Sequence, residues 1–116
     1  MRSHPLQVTD QPGFEAVMLD VGQGLSVFVK ADRHAMLFDG GGRSHSSYVV
    51  SWLRQRGISS LDYMIASHYD EDHIAGLVSV LHTTQVNRLL CPDTVSDTDI
   101  YHSFIEVSQN VNTVHP

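Results

Sequence analysis

Residues 68–73 bring together four side chains that can bind a metal ion. They are two imidazoles and two carboxylates: His68, Asp70, Asp72 and His73. Burying carboxylates without a counter-charge is costly, so a cation among these groups would stabilise the turn. A divalent ion in such a place can activate a water molecule for hydrolysis. The stretch therefore predicts a site for one or two divalent metal ions.

This stretch lies between two apolar segments, residues 61–66 and residues 74–81. The second segment has the spacing of one helix face, at Ile74, Leu77, Val78 and Leu81. A junction between a strand and a helix is where α/β proteins present functional groups. The simpler alternative is that Asp72 caps the helix. In that case the histidines are surface groups and the acidic residues form a solvated turn.

Hydrophobic patterning predicts an alternation of strands and helices around this turn. Strands are expected at residues 14–21, 25–30, 35–38, 61–66, 88–91 and 111–114, and helices at residues 48–56, 74–81 and 98–108. The first two strands should form a hairpin. Strand 61–66 should be buried on both faces, through a parallel connection over the helix at 48–56. Ser46 or Ser47 is the expected cap of that helix. Residues 1–13 are expected to be a loose lead-in to a domain at 14–116.

Asp39 is followed by three consecutive glycines, at positions 40–42. Glycine allows positive φ and close backbone approach. The loop is therefore expected to lie against residues 68–73, which we call the metal turn. A flexible linker is the alternative. Gly76 weakens its helix, and close packing is a plausible reason. Trp52 and Cys91 are expected in the core rather than in a binding or reactive role.

Composition indicates one small globular domain of 116 residues with a formal charge of −6. The seven basic residues are scattered, which argues against a passive nucleic-acid-binding surface but leaves a DNA substrate open. No apolar run approaches the ~18 residues of a membrane span, and the first residues lack the pattern of a signal peptide. The chain is therefore expected to be soluble, cytoplasmic by default, and without membrane contact of its own.

Three motifs carry a family resemblance. They are residues 20–24 (Asp-Val-Gly-Gln-Gly), residues 37–41 (Leu-Phe-Asp-Gly-Gly) and residues 67–77, which contain the His-x-Asp-x-Asp-His pattern. Together they resemble the metallo-β-lactamase fold domain of the ComEC-type DNA-uptake competence proteins. The resemblance implies an α/β fold, a four-layer αββα sandwich with further metal ligands in its second half. The chain is therefore expected to form the N-terminal half of such a sandwich.

The resemblance also implies roles for individual residues. His68 and Asp70 would bind one metal, and Asp72 and His73 the second, with Asp72 as the catalytic residue. A carboxylate at position 70 favours manganese alongside zinc. The resemblance also implies residues that contact the ligands or lie at the rim of the site. They are Asp20, Asp39, Gly40 and Gly41. A role for Asp20 as a turn-forming residue is equally open.

The implied function is metal-dependent hydrolysis, with phosphodiesters of DNA as substrate and a metal-activated water as nucleophile. Two alternatives stay open: an inactive half-domain that serves as an interaction or folding module, and a hydrolase of a small ester or thioester. Because half of a sandwich exposes an apolar sheet face, a homo-oligomer is expected, most simply a dimer.

Overall fold

The computed structural model describes residues 6–11 and 13–115. It contains seven strands, which are β1 Leu6–Gln11, β2 Phe14–Met18, β3 Val27–Ala31, β4 His34–Phe38, β5 Ser60–Ile65, β6 Gln85–Leu90 and β7 Asn112–Val114. Three α-helices follow strands β4, β5 and β6, and these are α1 Ser46–Gln55, α2 Glu71–Thr83 and α3 Asp99–Val107. A short 3-10 helix, Arg43–His45, leads into α1.

All seven strands form one sheet in which their order follows the chain. The pairs from β1 to β4 are antiparallel, as short connections allow. The pairs from β4 to β7 are parallel, and each of these connections contains a helix. The predicted hairpin and parallel strand are therefore confirmed. The carboxyl ends of β4 and β5 lie side by side, because Phe38 pairs with Ile65.

The core lies between the helices and one face of the sheet. One buried row crosses five strands at Val17, Phe28, Leu37, Met64 and Leu89. Helix residues in the same core include Trp52, whose ring lies 5.2 Å from that of Phe28. Trp52 and Cys91 are both buried, as predicted. One sheet with one helical layer is the predicted α/β half of a four-layer sandwich.

The opposite face of the sheet has no helix on it among the described residues. One row is apolar throughout and consists of Met18, Val27, Phe38, Ile65, Leu90 and Val114. The neighbouring row contains Tyr63 and becomes polar at Arg88 and Asn112. Tyr63 on this face is 42% exposed. The prediction that strand 61–66 is buried on both faces is therefore wrong. The parallel connections place their helices on a single face, so the other face stays open.

Two further predictions need correction. Residues 6–11, assigned to a loose lead-in, form β1, because the edge of β2 offers backbone groups with which they pair. Residues 1–5 and 12 of that lead-in lie outside the described residues. The cap of α1 is His45 rather than Ser46 or Ser47, because the preceding 3-10 helix runs directly into α1.

In the part of the chain that is described, no helix combines the length and apolar character needed to cross a bilayer.

Candidate metal centre

The metal turn lies where the ends of two parallel strands meet the start of a helix. Asp39 follows β4, and its backbone N–H donates to the carbonyl of Ile65 at the end of β5, 2.8 Å away. Residues 66–70 then lead from β5 into α2, whose N-cap position is occupied by Asp70. The alternative in which Asp72 caps this helix is therefore wrong. The side chain of Asp70 makes no capping hydrogen bond.

The glycine loop packs backbone to backbone against α2. The N–H of Gly40 donates to the carbonyl of His73 (2.8 Å), and the N–H of Gly76 donates to the carbonyl of Gly41 (3.1 Å). A Cβ atom on Gly76 would lie 1.8 Å from the carbonyl oxygen of Gly40. The predicted close approach of the loop and of Gly76 is confirmed. It fixes the positions of Asp39 and of the first turn of α2 relative to each other.

Asp39 is fully buried and faces the metal turn. Its Oδ2 lies 2.7 Å from Nδ1 of His73, and its Oδ1 accepts a hydrogen bond from the backbone N–H of Ser67 at 2.8 Å. An ionised carboxylate only accepts hydrogen bonds, so wherever Asp39 is ionised the donor in this contact is Nδ1 of His73. The other ring nitrogen, Nε2, then has its lone pair available, which is the arrangement of a metal-binding histidine held by a carboxylate.

The donor atoms of Asp72 and His73 are close enough to share one ion. Oδ1 of Asp72 lies 3.8 Å from Nε2 of His73. Two ligands that each lie about 2.0–2.1 Å from a zinc ion are at most about 4.2 Å apart. The two side chains are also only partly exposed, at 38% and 21%. This pair fits a divalent ion in distance and in donor chemistry.

The other two predicted ligands lie at the exposed side of the turn. The His68 ring has its centroid 5.3 Å from that of His73, and its Nδ1 is 3.0 Å from Oγ of Ser67. Asp70 is exposed. Within the described residues, no three histidine, cysteine or acidic side chains converge on a common point that could hold a metal. Metal binding by His68 and Asp70 therefore stays a prediction.

Asp20 begins a turn at residues 20–24 that lies against the start of α2. Its Oδ1 accepts a hydrogen bond from the N–H of Gly22 at 3.4 Å, which is the local bond expected of a turn-forming aspartate. The turn touches the metal turn directly, because a Cβ atom on Gly24 would lie 2.1 Å from the carbonyl oxygen of Asp72. Burial, and then the negative charge of Asp20, raise the pKa of the Tyr48 hydroxyl.

Tyr69 anchors the metal turn, a role that the sequence did not reveal. It stands between His68 and Asp70 in sequence, and its side chain is buried. Its hydroxyl donates to the carbonyl of Pro92 at 2.6 Å. Its ring packs on Tyr101 and Phe104 of α3, with centroid distances of 4.8 and 5.8 Å. Burial raises the pKa of the hydroxyl well above its ordinary value, so Tyr69 stays neutral. In the sequence, Tyr69 stands among polar residues, and nothing in that pattern indicates its contact with α3.

A cavity of about 680 Å³ lies beside the metal turn. Its lining residues come from three segments, namely the turn at 20–24, the start of the 3-10 helix and the start of α2, and they are Val21, Gln23, Gly42, Arg43, Ser44, Glu71 and Asp72. Of the predicted ligands, Asp72 is the one that reaches this cavity. The sequence did not indicate that Gln23 and Arg43 would lie next to it. Gln23 stands between the glycines of the motif at residues 20–24, and Arg43 directly follows the glycine loop.

A family model described as the metallo-beta-lactamase superfamily matches residues 19–97. The chain is 35% identical to ComE operon protein 3 of Bacillus subtilis, over 67% of this chain and 12% of that protein. It is 39% identical to competence protein ComA of Neisseria gonorrhoeae, over 53% of this chain and 9% of that protein. The chain therefore spans only about a tenth of the length of these relatives.

Solved structures of low sequence identity share the fold. The apo state of the chemotaxis sensor ODP from T. denticola superposes with a TM-score of 0.64 at 17% identity, over 98% of this chain and 45% of that chain. The metallo-beta-lactamase FIM-1 from Pseudomonas aeruginosa, in a mono-zinc form, superposes with a TM-score of 0.56 at 10% identity. That match covers 99% of this chain and 50% of that chain.

Proposed function

Because the chain belongs to the metallo-beta-lactamase superfamily, we propose that it is a metal-dependent hydrolase whose metal is held by the turn at residues 68–73. The observation that carries this proposal is the line from buried Asp39 through His73 to Asp72. The contact between Oδ2 of Asp39 and Nδ1 of His73 orients the ring, whose other nitrogen, Nε2, lies 3.8 Å from Oδ1 of Asp72. A carboxylate and an oriented imidazole form the core of a site for a divalent ion.

The remaining ligands in this proposal are His68 and Asp70. A bound zinc or manganese ion, or a pair of them, would supply a water molecule of lowered pKa and would polarise the substrate. The chain's own residues hold the geometry: Asp39 orients His73, and Tyr69 anchors the turn between the ligands. Asp72 is then a ligand whose carboxylate also lines the cavity.

A phosphodiester of DNA is the substrate that the relatives support best. One relative is named competence protein ComA, and another is named ComE operon protein 3. A third is recombination protein 2 of Haemophilus influenzae, which is 28% identical over 81% of this chain. The formal charge of −6 opposes binding of a polyanion. One or two divalent ions would offset part of that charge at the site where the substrate must bind.

One observation favours an alternative. No three donor side chains converge within the part of the chain that the structure describes, and a half-domain that only folds or interacts would need no such convergence. A hydrolase of a small ester or thioester is the other alternative, because the same metal-activated water attacks carbonyl groups.

Hydrolysis assays separate these possibilities. Protein loaded with manganese or zinc is incubated with single-stranded DNA and, in parallel, with a thioester substrate. The proposal predicts cleavage of DNA by wild type, and loss of cleavage in Asp72→Asn. His82→Ala, at an exposed position near the end of α2, is the matched control that retains cleavage. Cleavage of the thioester alone supports the ester alternative, and no turnover of either substrate contradicts the proposal.

A further inference from the structure

We propose that Arg43 binds a phosphate group of the substrate in the cavity beside the metal turn, and that Glu71 occupies Arg43 when the substrate is absent. This inference rests on the proposed function, because it assigns the substrate-binding residue of that same site. It starts from the position of Arg43, which begins the 3-10 helix directly after the glycine loop.

The backbone next to Arg43 is held against the metal turn. The neighbouring Gly42 is in ordinary extended conformation, and a Cβ atom placed on it would lie 3.6 Å from Cα of Asp72. The adjacent Gly41 donates its N–H to the carbonyl of Leu25 at 2.9 Å. Arg43 therefore extends its side chain from a fixed point beside Asp72, and its reach covers the cavity that both residues line.

The guanidinium of Arg43 makes one weak ion pair, with Glu71. Its Nε lies 3.5 Å from Oε1 of Glu71, and the two side chains are 67% and 56% exposed. Exposed ion pairs of this kind contribute little to stability, so the pair separates readily when a stronger anion arrives. The contact uses Nε, and within residues 13–115 no hydrogen bond engages the two terminal nitrogens. Those nitrogens match a phosphate group in a bidentate arrangement.

Arg43 is also the one cationic residue among those that line the cavity. Gln23 and Ser44, which line the same cavity, provide uncharged hydrogen-bonding groups. The carboxylates of Glu71 and Asp72 also line the cavity, so Arg43 is the lining residue that can attract the negative charge of a phosphodiester. By comparison, Arg56 is held by Glu15 and lies 4.8 Å from the centre of the Trp52 ring, so its role is structural.

The arrangement makes Glu71 a competitor for the same guanidinium. Removing its charge should strengthen substrate binding, but only while Arg43 is present to bind the phosphate. A general electrostatic effect of Glu71 would instead strengthen binding whether or not Arg43 is present. A pair of single variants and their double variant therefore distinguishes direct competition from a simple change in net charge.

The test measures the dissociation constant of a fluorescent thymidine decanucleotide by anisotropy, at low salt, with metal-free protein and with zinc-loaded protein. A decanucleotide with an uncharged methylphosphonate backbone is the matched probe. Arg43→Gln should raise the dissociation constant about tenfold, which corresponds to loss of one hydrogen-bonded charge contact. Glu71→Gln should lower it several-fold, and the double variant should bind like Arg43→Gln. Arg54→Gln, at an exposed position on α1, should bind like wild type.

The inference would be overturned if wild type did not bind the charged probe, or if wild type and Arg43→Gln bound it equally. It would also be overturned if Glu71→Gln strengthened binding equally in wild type and in Arg43→Gln. Binding of the methylphosphonate probe as tightly as the charged probe would overturn it as well. Hydrolysis of the charged probe is followed separately. Turnover that is insensitive to Arg43 leaves the proposed function standing without this inference. Binding that depends on Arg43, without metal uptake or turnover, leaves the inference standing without the proposed function.

Discussion

Nδ1 of His73 lies 2.7 Å from Oδ2 of Asp39, although the two residues are 34 positions apart in sequence. The side chain of Asp39 is completely buried. The same carboxylate accepts the backbone N–H of Ser67, directly before His68. Asp39 therefore holds the two ends of the metal turn at once. A buried charge with these partners both orients a ligand and stabilises the loop that carries it.

Replacing Asp39 with asparagine should weaken metal binding more than it disturbs the fold. Asparagine has the same shape and tolerates the positive φ of 57° at this position. It cannot hold the His73 tautomer by charge, so metal affinity should fall by about 10- to 100-fold. Isothermal titration with zinc measures this change. Asp32→Asn is the matched control, because Asp32 is exposed and has a similar φ of 54°. Equal zinc affinity in both variants would contradict the role given to Asp39.

Replacing Gly76 with alanine should destabilise the protein even though alanine favours helix. The new Cβ atom would lie 1.8 Å from the carbonyl oxygen of Gly40, so loop and helix must move apart. We expect a loss of about 1–3 kcal/mol in the free energy of unfolding, the usual cost of overpacking. Urea denaturation measures it. Gly42→Ala is the control, since its nearest contact is an ordinary 3.6 Å. Should both variants unfold at the same urea concentration, the close approach has no energetic consequence.

The open sheet face predicts self-association of the chain. Apolar residues continue across it from Met18 to Val114, and Tyr63 in its neighbouring row is 42% exposed. A contiguous apolar surface of this kind favours burial, and a second copy of the chain offers an identical face for sheet-on-sheet packing. Light scattering coupled to size exclusion should report a dimer or larger. Tyr63→Glu should shift it towards monomer, whereas Val95→Glu, at an 86% exposed loop position, should not. A wild-type monomer with a cooperative melt would contradict this prediction.

Local patterns in the sequence predicted most of the elements, because apolar periodicity and glycine positions are local signals. The close approach of the glycine loop was also predicted, because three glycines between short segments of one domain indicate close backbone packing. What the sequence could not show depends on distant contacts. Tyr63 is exposed because all the parallel connections cross one face. Tyr69 is buried because α3 arrives beside it, and Arg43 lines a cavity because the turn at residues 20–24 contacts α2.

The candidate site was predicted as a set of residue types rather than as a geometry. Four ligands of two types in one turn indicated a metal site, and the family resemblance implied that Asp39 supports them. The structure adds that Asp72 and His73 already lie at a spacing that one ion can bridge, whereas His68 and Asp70 lie further out. A pattern of residues in sequence does not specify side-chain rotamers on an exposed turn, so this division was not predictable.

The central claim is that residues 68–73 bind a divalent metal, and metal content per chain tests it most directly. Protein is stripped with a chelator, reloaded with zinc or manganese, desalted and analysed by elemental analysis. Wild type and His82→Ala should retain at least one ion per chain. Asp72→Ala and His73→Ala should each retain much less, because each removes a donor that the remaining ligands cannot replace. Equal metal content in wild type and an Asp72→Ala/His73→Ala double variant, both folded, would contradict the claim.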